Sequence, residues 1–121
     1  CALPILLEAG MNVCFGQDSI VDPWYPLGNG NILRVLEAGL HICHMLGYRN
    51  LQSALDLVTD NSAKAMALGD RYGLEPGRPA NLLILSADSD YEVIRSQGQA
   101  LYSIRNGKVL MKRQPAQVEF L

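Results

Sequence analysis

Between Gly69 and Pro79 the chain changes character, with Gly73, Pro76, Gly77 and Pro79 falling within seven residues. Glycine loosens the backbone and proline removes a donor while fixing φ, so neither a helix nor a paired strand runs through such a stretch. The chain is therefore expected to fold as two pieces, residues 1–69 and residues 70–121. Neither piece reads as self-sufficient, because the first has one strand-like run and the second a few strands that cannot bury two faces alone.

Ahead of the break the pattern is helical with one exception. Ala2 to Ala9 reads as the tail of a helix stopped by Gly10, and Asn12 to Phe15 as a strand, a tight αβ unit of the kind that feeds a parallel sheet. Ile32, Leu33, Val35, Leu36, Leu40, Ile42, Cys43 and Leu46 recur at helical spacing, which predicts a helix from Asn31 to Leu46 closed by Gly47. Asn50 is expected to cap a further helix through Val58, and Asn61 or Ser62 a short one through Leu68. The chain opens on Cys1 without an initiator methionine, in the middle of that first helix, so further sequence is expected before it.

Beyond the break the period changes to two. Leu82 to Leu85 is an unbroken apolar strand, residues 89–97 suit a short amphipathic helix through Tyr91, Val93 and Ile94, and Leu101 to Arg105 alternate. Asn106-Gly107 then supplies the two positive-φ positions of a tight hairpin, and Val109 to Met111 return.

With 49% apolar and 18% charged residues, the 121-residue chain forms a core and is not disordered. A net charge of −2 with scattered basic residues offers no stripe for phosphates, which argues against a nucleic-acid partner. No apolar run approaches the roughly 20 residues that span a bilayer, and no leader pattern begins the chain. Cys1, Cys14 and Cys43 are odd in number and form no C-x-x-C pair, so they read as reduced, buried cysteines of a cytoplasmic protein.

Val13-Cys14-Phe15-Gly16-Gln17-Asp18-Ser19 sets one carboxylate just past the end of a strand, where α/β barrels place their chemistry. Asp18 there can hold a metal with one oxygen and take a proton with the other, or it can simply cap a loop. The following loop carries Trp24 and Tyr25 between Pro23 and Pro26, which makes either a pocket wall or a local plug. Asp22 is expected to cap the turn at Pro23. His41 and His44 share a helix face but have no third ligand nearby, so they read as packing or hydrogen-bonding residues. Gly28-Asn29-Gly30 lacks the spacing of a phosphate loop and reads as a flexible lead into the next helix.

These residues resemble the metal-dependent amidohydrolases, and within them the bacterial cytosine deaminases of the (β/α)8-barrel type. Val13 to Asp18, with Asp22-Pro23-Trp24-Tyr25-Pro26-Leu27-Gly28, resembles the end of the eighth barrel strand and its loop. Asn61 to Leu68, Gly73 to Leu85 and Ile104 to Val109 resemble the C-terminal signature shared across amidohydrolases. The resemblance implies an α/β fold, with residues 1–69 closing the barrel and residues 70–121 contributing strands to the small β-sandwich domain beside it.

By the same resemblance, Asp18 is a metal ligand and proton shuttle for hydrolytic deamination of cytosine or a related ring, and Trp24 lines the substrate pocket. Ser19 and Gln17 also border the ring, Ser19 where a second acidic residue is usual and Gln17 where a histidine is common. A serine accepts hydrogen bonds differently from a carboxylate, so isocytosine, a triazine or a pterin stays open as substrate. One divalent metal, iron or zinc, is implied, with its other ligands in an N-terminal part of the same enzyme. The full-length enzyme is expected to be a homo-oligomer and this stretch alone inactive. A non-catalytic folding or interaction module, with Trp24 and Tyr25 anchoring a partner, is the alternative of another class.

Overall fold

A short amphipathic run, Leu3–Glu8, forms α1, with Pro4 in its first turn where the missing N–H costs nothing. Its end is a Schellman motif: Gly10, at φ +75°, donates to Leu7 O and Met11 to Leu6 O. The structure, a computed structural model, describes residues 1–119. The chain divides into two compact units, Cys1–Gly69 and Asp70–Leu121.

In the first unit, α2 spans Ile32–Ile42 and starts where Asn31 caps it, its side chain accepting from Leu33 N at 3.1 Å. Leu33, Leu36 and Leu40 fall on one face and are buried, the last two completely. They form the core with Val13, Met45, Ala54, Leu57 and Ala63. The helix stops four residues before the Leu46 anticipated from periodicity. His44, not a glycine, takes the left-handed position at φ +54°, and Met45 N returns to Leu40 O at 2.8 Å. That reversal buries Met45 under α2, and Gly47 instead precedes the first turn of α3, Tyr48–Gln52.

The helix expected from Asn50 to Val58 is split, with α3 followed by a 3-10 turn over Ala54–Val58. Helix α4, Asp60–Ala65, begins two or three residues earlier than a cap at Asn61 or Ser62 would set it. Asn61 has other work: its side-chain N–H donates to Val13 O at 2.8 Å, and its own carbonyl accepts from Asn12 at 3.0 Å. Helix α4 ends like α2 on a non-glycine left-handed residue, Ala67 at φ +51°. Such a residue costs about 1 kcal/mol relative to glycine. The exposed Ala67→Gly substitution is accordingly expected to stabilise the protein by about 0.5–1 kcal/mol, read from the denaturant midpoint at unchanged slope.

Asn12 to Phe15, expected as a strand, is not a paired one. A ladder needs a neighbouring strand, and among the described residues none lies beside it. The segment is held instead by the two Asn bonds and by Phe15 N donating to Leu57 O at 2.8 Å.

The cysteines also depart from expectation. Cys1 and Cys43 form a disulfide, their Cα atoms 5.1 Å apart, within the range such a bond spans. It ties the start of α1 to the end of α2, and Cys14 is free and exposed.

The second unit opens on an irregular loop knitted by Arg78, whose guanidinium meets Glu75 at 2.9 Å, approaches Asp70 at 3.8 Å and donates to the Tyr72 carbonyl. Three antiparallel strands follow in the order β1-β2-β3: Leu82–Leu85, Ala100–Arg105 and Lys108–Lys112. Asn106 and Gly107 both have positive φ, the signature of the hairpin turn the dipeptide predicts. The turn is pinned from outside, with Asn106 N donating to Asn81 Oδ1 at 2.9 Å and Gly107 N to Ala80 O at 3.0 Å.

Between β1 and β2 lies α5, Asp90–Arg95, capped by Ser89 accepting from Glu92 N and burying Val93 and Ile94. The sheet itself is only partly covered, since Leu83, Ile84, Val109 and Leu110 stay exposed. Among the described residues no helix is long and apolar enough to cross a membrane.

Candidate functional site

The segment from Asn12 to Phe15 delivers its residues alternately to two sides, and beyond Phe15 it leaves the unit's core. Phe15 is the last anchor. Its ring lies across α2 at Gly39, so closely that a Cβ on Gly39 would sit 2.6 Å from Phe15 Cζ. Gly16 follows, and then Gln17 and Ser19 lie half-buried on either side of an exposed Asp18. Asp18 is exposed, and no hydrogen bond or ion pair among the described residues engages it. Gln17, half-buried, donates through Nε2 to the Ser19 carbonyl, which curls the backbone just after Asp18.

The loop that follows is built on one carboxylate. Asp22 Oδ1 accepts from Trp24 N at 3.0 Å and from Tyr25 N at 2.8 Å. The Ser19 hydroxyl, followed by the Tyr25 and Trp24 amides, holds the Asp22 carboxyl below its ordinary value of 3.8, so the anchor is ionised throughout the neutral range. Capping the turn at Pro23 is thus what Asp22 does, as its position before proline suggested.

Val21, a β-branched residue, is forced to φ +62°, a conformation such residues avoid. Its N–H and that of Gly28 both donate to Tyr25 O at 3.2 Å. Gly28 is buried because any Cβ there would come within 3.0 Å of the Tyr25 ring and 3.1 Å of the Ile20 backbone.

Trp24, by contrast, is 91% exposed. It is no local plug: a tightly held backbone presents an unpacked indole. After Gly28 the chain reaches α2 through a ladder of asparagines, Asn29 Oδ1 accepting from Asn31 N at 3.0 Å. This lead into the helix does not have the form of a phosphate cradle.

His41 and His44 lie away from Asp18 in role. His41 Nδ1 meets the backbone and side chain of Glu37 one turn earlier, at 2.9 and 3.1 Å, and His44 serves the C-terminal reversal of α2. Among the described residues no three of His, Cys, Asp and Glu gather closely enough to hold a metal. Asp18, exposed and unengaged, fits the part of one ligand in a site completed by other donors. A depression of about 450 Å³ in the second unit, between Asn81, Leu83, Ser103, Arg105 and Leu110, has no carboxylate or imidazole in its wall and offers no acid–base chemistry.

The sequence model of the amidohydrolase family matches residues 2–111. The chain belongs to the amidohydrolase family. Members of this superfamily use a metal, which suits the lone exposed carboxylate.

A solved 5-methylcytosine deaminase from Klebsiella pneumoniae, liganded with 5-fluorocytosine, is 64% identical and superposes at a TM-score of 0.94 over 98% of this chain and 29% of its own. An N-isopropylammelide isopropylaminohydrolase from Burkholderia multivorans is 25% identical at a TM-score of 0.80, over 90% of this chain and 28% of its own. N-isopropylammelide isopropyl amidohydrolase of Pseudomonas sp. (strain ADP) is 31% identical over 88% of this chain and 27% of that protein. The chain thus spans under a third of the length of these amidohydrolase relatives.

Proposed function

We propose that this chain is part of a cytosine-deaminase-like enzyme that converts an amino-substituted pyrimidine and water into the oxo ring and ammonia. The observation that carries this reading is the 64% identity, over 98% of the chain, to a 5-methylcytosine deaminase. Cytosine and its 5-methyl derivative are the first substrates to test.

In this reading residues 1–69 are the closing portion of a (β/α)8 barrel and residues 70–121 the C-terminal strands of the small β domain. Two features support it. Among the described residues the run from Asn12 to Phe15 has no strand neighbour, as a barrel strand does when its partners belong to another stretch, and the β1-β2-β3 sheet leaves Leu83 and Leu110 uncovered.

Asp18 would hold the divalent metal, iron or zinc, alongside ligands contributed by the remainder of the enzyme. That ion supplies Lewis acidity, which makes water nucleophilic near neutral pH. Asp18 accepts a proton from the attacking water and returns it toward the ring and the departing ammonia. Trp24 lays a flat apolar surface against the ring, while Ser19 and Gln17 border it with neutral polar groups.

The 31% identity to N-isopropylammelide isopropyl amidohydrolase favours a second reading, hydrolysis of another amino-substituted ring such as isocytosine, a triazine or a pterin. Ammonia release from this panel by the full-length, metal-loaded enzyme decides between the two. The 121-residue chain alone is expected to release none, because among its described residues Asp18 has no companion ligands. Robust turnover by the isolated chain would overturn the assignment of Asp18 to a shared site.

A further inference from the structure

We infer that Asp22, which stands outside the catalytic group, is the positioning residue that presents Trp24 to the ring. The inference rests on the deaminase reading and deepens it, by naming what sets the pocket wall. Its basis is a contrast within four residues. The backbone amides of Trp24 and Tyr25 are both bonded to Asp22 Oδ1, at 3.0 and 2.8 Å, while Trp24 is 91% exposed.

A loop indole normally gains stability by packing its ring, and here the ring packs against almost nothing. The hydrogen bonds fix where the indole starts and leave its face free, which is the arrangement a recognition residue needs.

The test compares Asp22→Ala and Asp22→Asn in the full-length enzyme. Asparagine retains an oxygen able to accept from both amides, whereas alanine retains none. Alanine is expected to raise KM for cytosine about tenfold with kcat changed less than about threefold, the mark of lost ring positioning rather than lost chemistry. Asparagine should keep the Trp24 placement and hold KM within about threefold of the parent.

Amide hydrogen exchange gives a readout that needs no turnover. Trp24 and Tyr25 should lose protection in the alanine variant and keep it in the asparagine variant. If protection behaves this way but no pyrimidine is deaminated by the parent, the deaminase reading fails and the anchoring role of Asp22 stands. An unchanged KM in Asp22→Ala, or kcat falling with KM steady, overturns the inference.

Discussion

Replacing Asp18 by asparagine in the full-length enzyme is expected to lower kcat for ring deamination by at least about a thousandfold, with the protein still folded. The magnitude follows from the roles proposed for the side chain. Positioned proton transfer contributes about 10²–10⁴-fold, and a lost anionic ligand weakens the hold on the metal besides. Folding should be spared because Asp18 is exposed and no described neighbour depends on it. Kinetics on metal-replete protein, with metal content measured on the same sample, separate the two contributions. An Asp18→Asn enzyme that retains a tenth of the parent rate would remove Asp18 from the chemistry and return it to the ordinary work of a loop aspartate.

The second large effect comes from a residue with no side chain. In an open helix interior a glycine-to-alanine change stabilises by about 1 kcal/mol, and Gly39 lies within α2. Here the sign should reverse. The added Cβ would meet Phe15 Cζ at 2.6 Å, with two further ring atoms at 2.8 and 3.1 Å, and an aromatic ring has no slack end to fold away. Overpacking of this kind typically costs about 1–3 kcal/mol.

Phe15 is the last anchored residue before Asp18, so the displaced ring should also shift the carboxylate, and a shift of about 1 Å can cost about a hundredfold in rate. Gly39→Ala is thus expected to lower both the unfolding midpoint and kcat. Phe15→Leu in the same chain should restore part of the stability by vacating the space. A stabilised Gly39→Ala protein would show that the ring yields freely and does not hold the segment.

Local chemistry was legible in the sequence wherever a conformation is decided by a few adjacent residues. Asn106-Gly107 dictates its hairpin, Asn31 starts α2 and Asp22 caps Pro23, because in each case the decisive groups are neighbours along the chain. What failed was decided at a distance or against propensity. The end of α2 was misplaced because His44 pays the left-handed strain that glycine avoids, to bring Met45 under Leu40. The early start of α4 leaves Asn61 inside the helix, where its side chain reaches back to Val13, 48 residues away. The Cys1–Cys43 bond joins positions 42 apart, invisible to any local pattern.

Within the candidate site the division is similar. Asp18, Ser19 and Trp24 attract attention by type and spacing, and the exposure of Trp24 decides against the plug. The left-handed Val21 at φ +62°, whose N–H closes the loop on Tyr25 O, could not be read from spacing, since a β-branched residue avoids that conformation.

The loop from Ser19 to Gly28 closes on itself through Asp22 and the Tyr25 carbonyl, so its shape is written almost wholly in its own ten letters. It is a cassette. Exchanged as a block between related enzymes, it should carry its indole in the same pose, and ring preference could then drift through single changes at its rim while the scaffold beneath stays untouched.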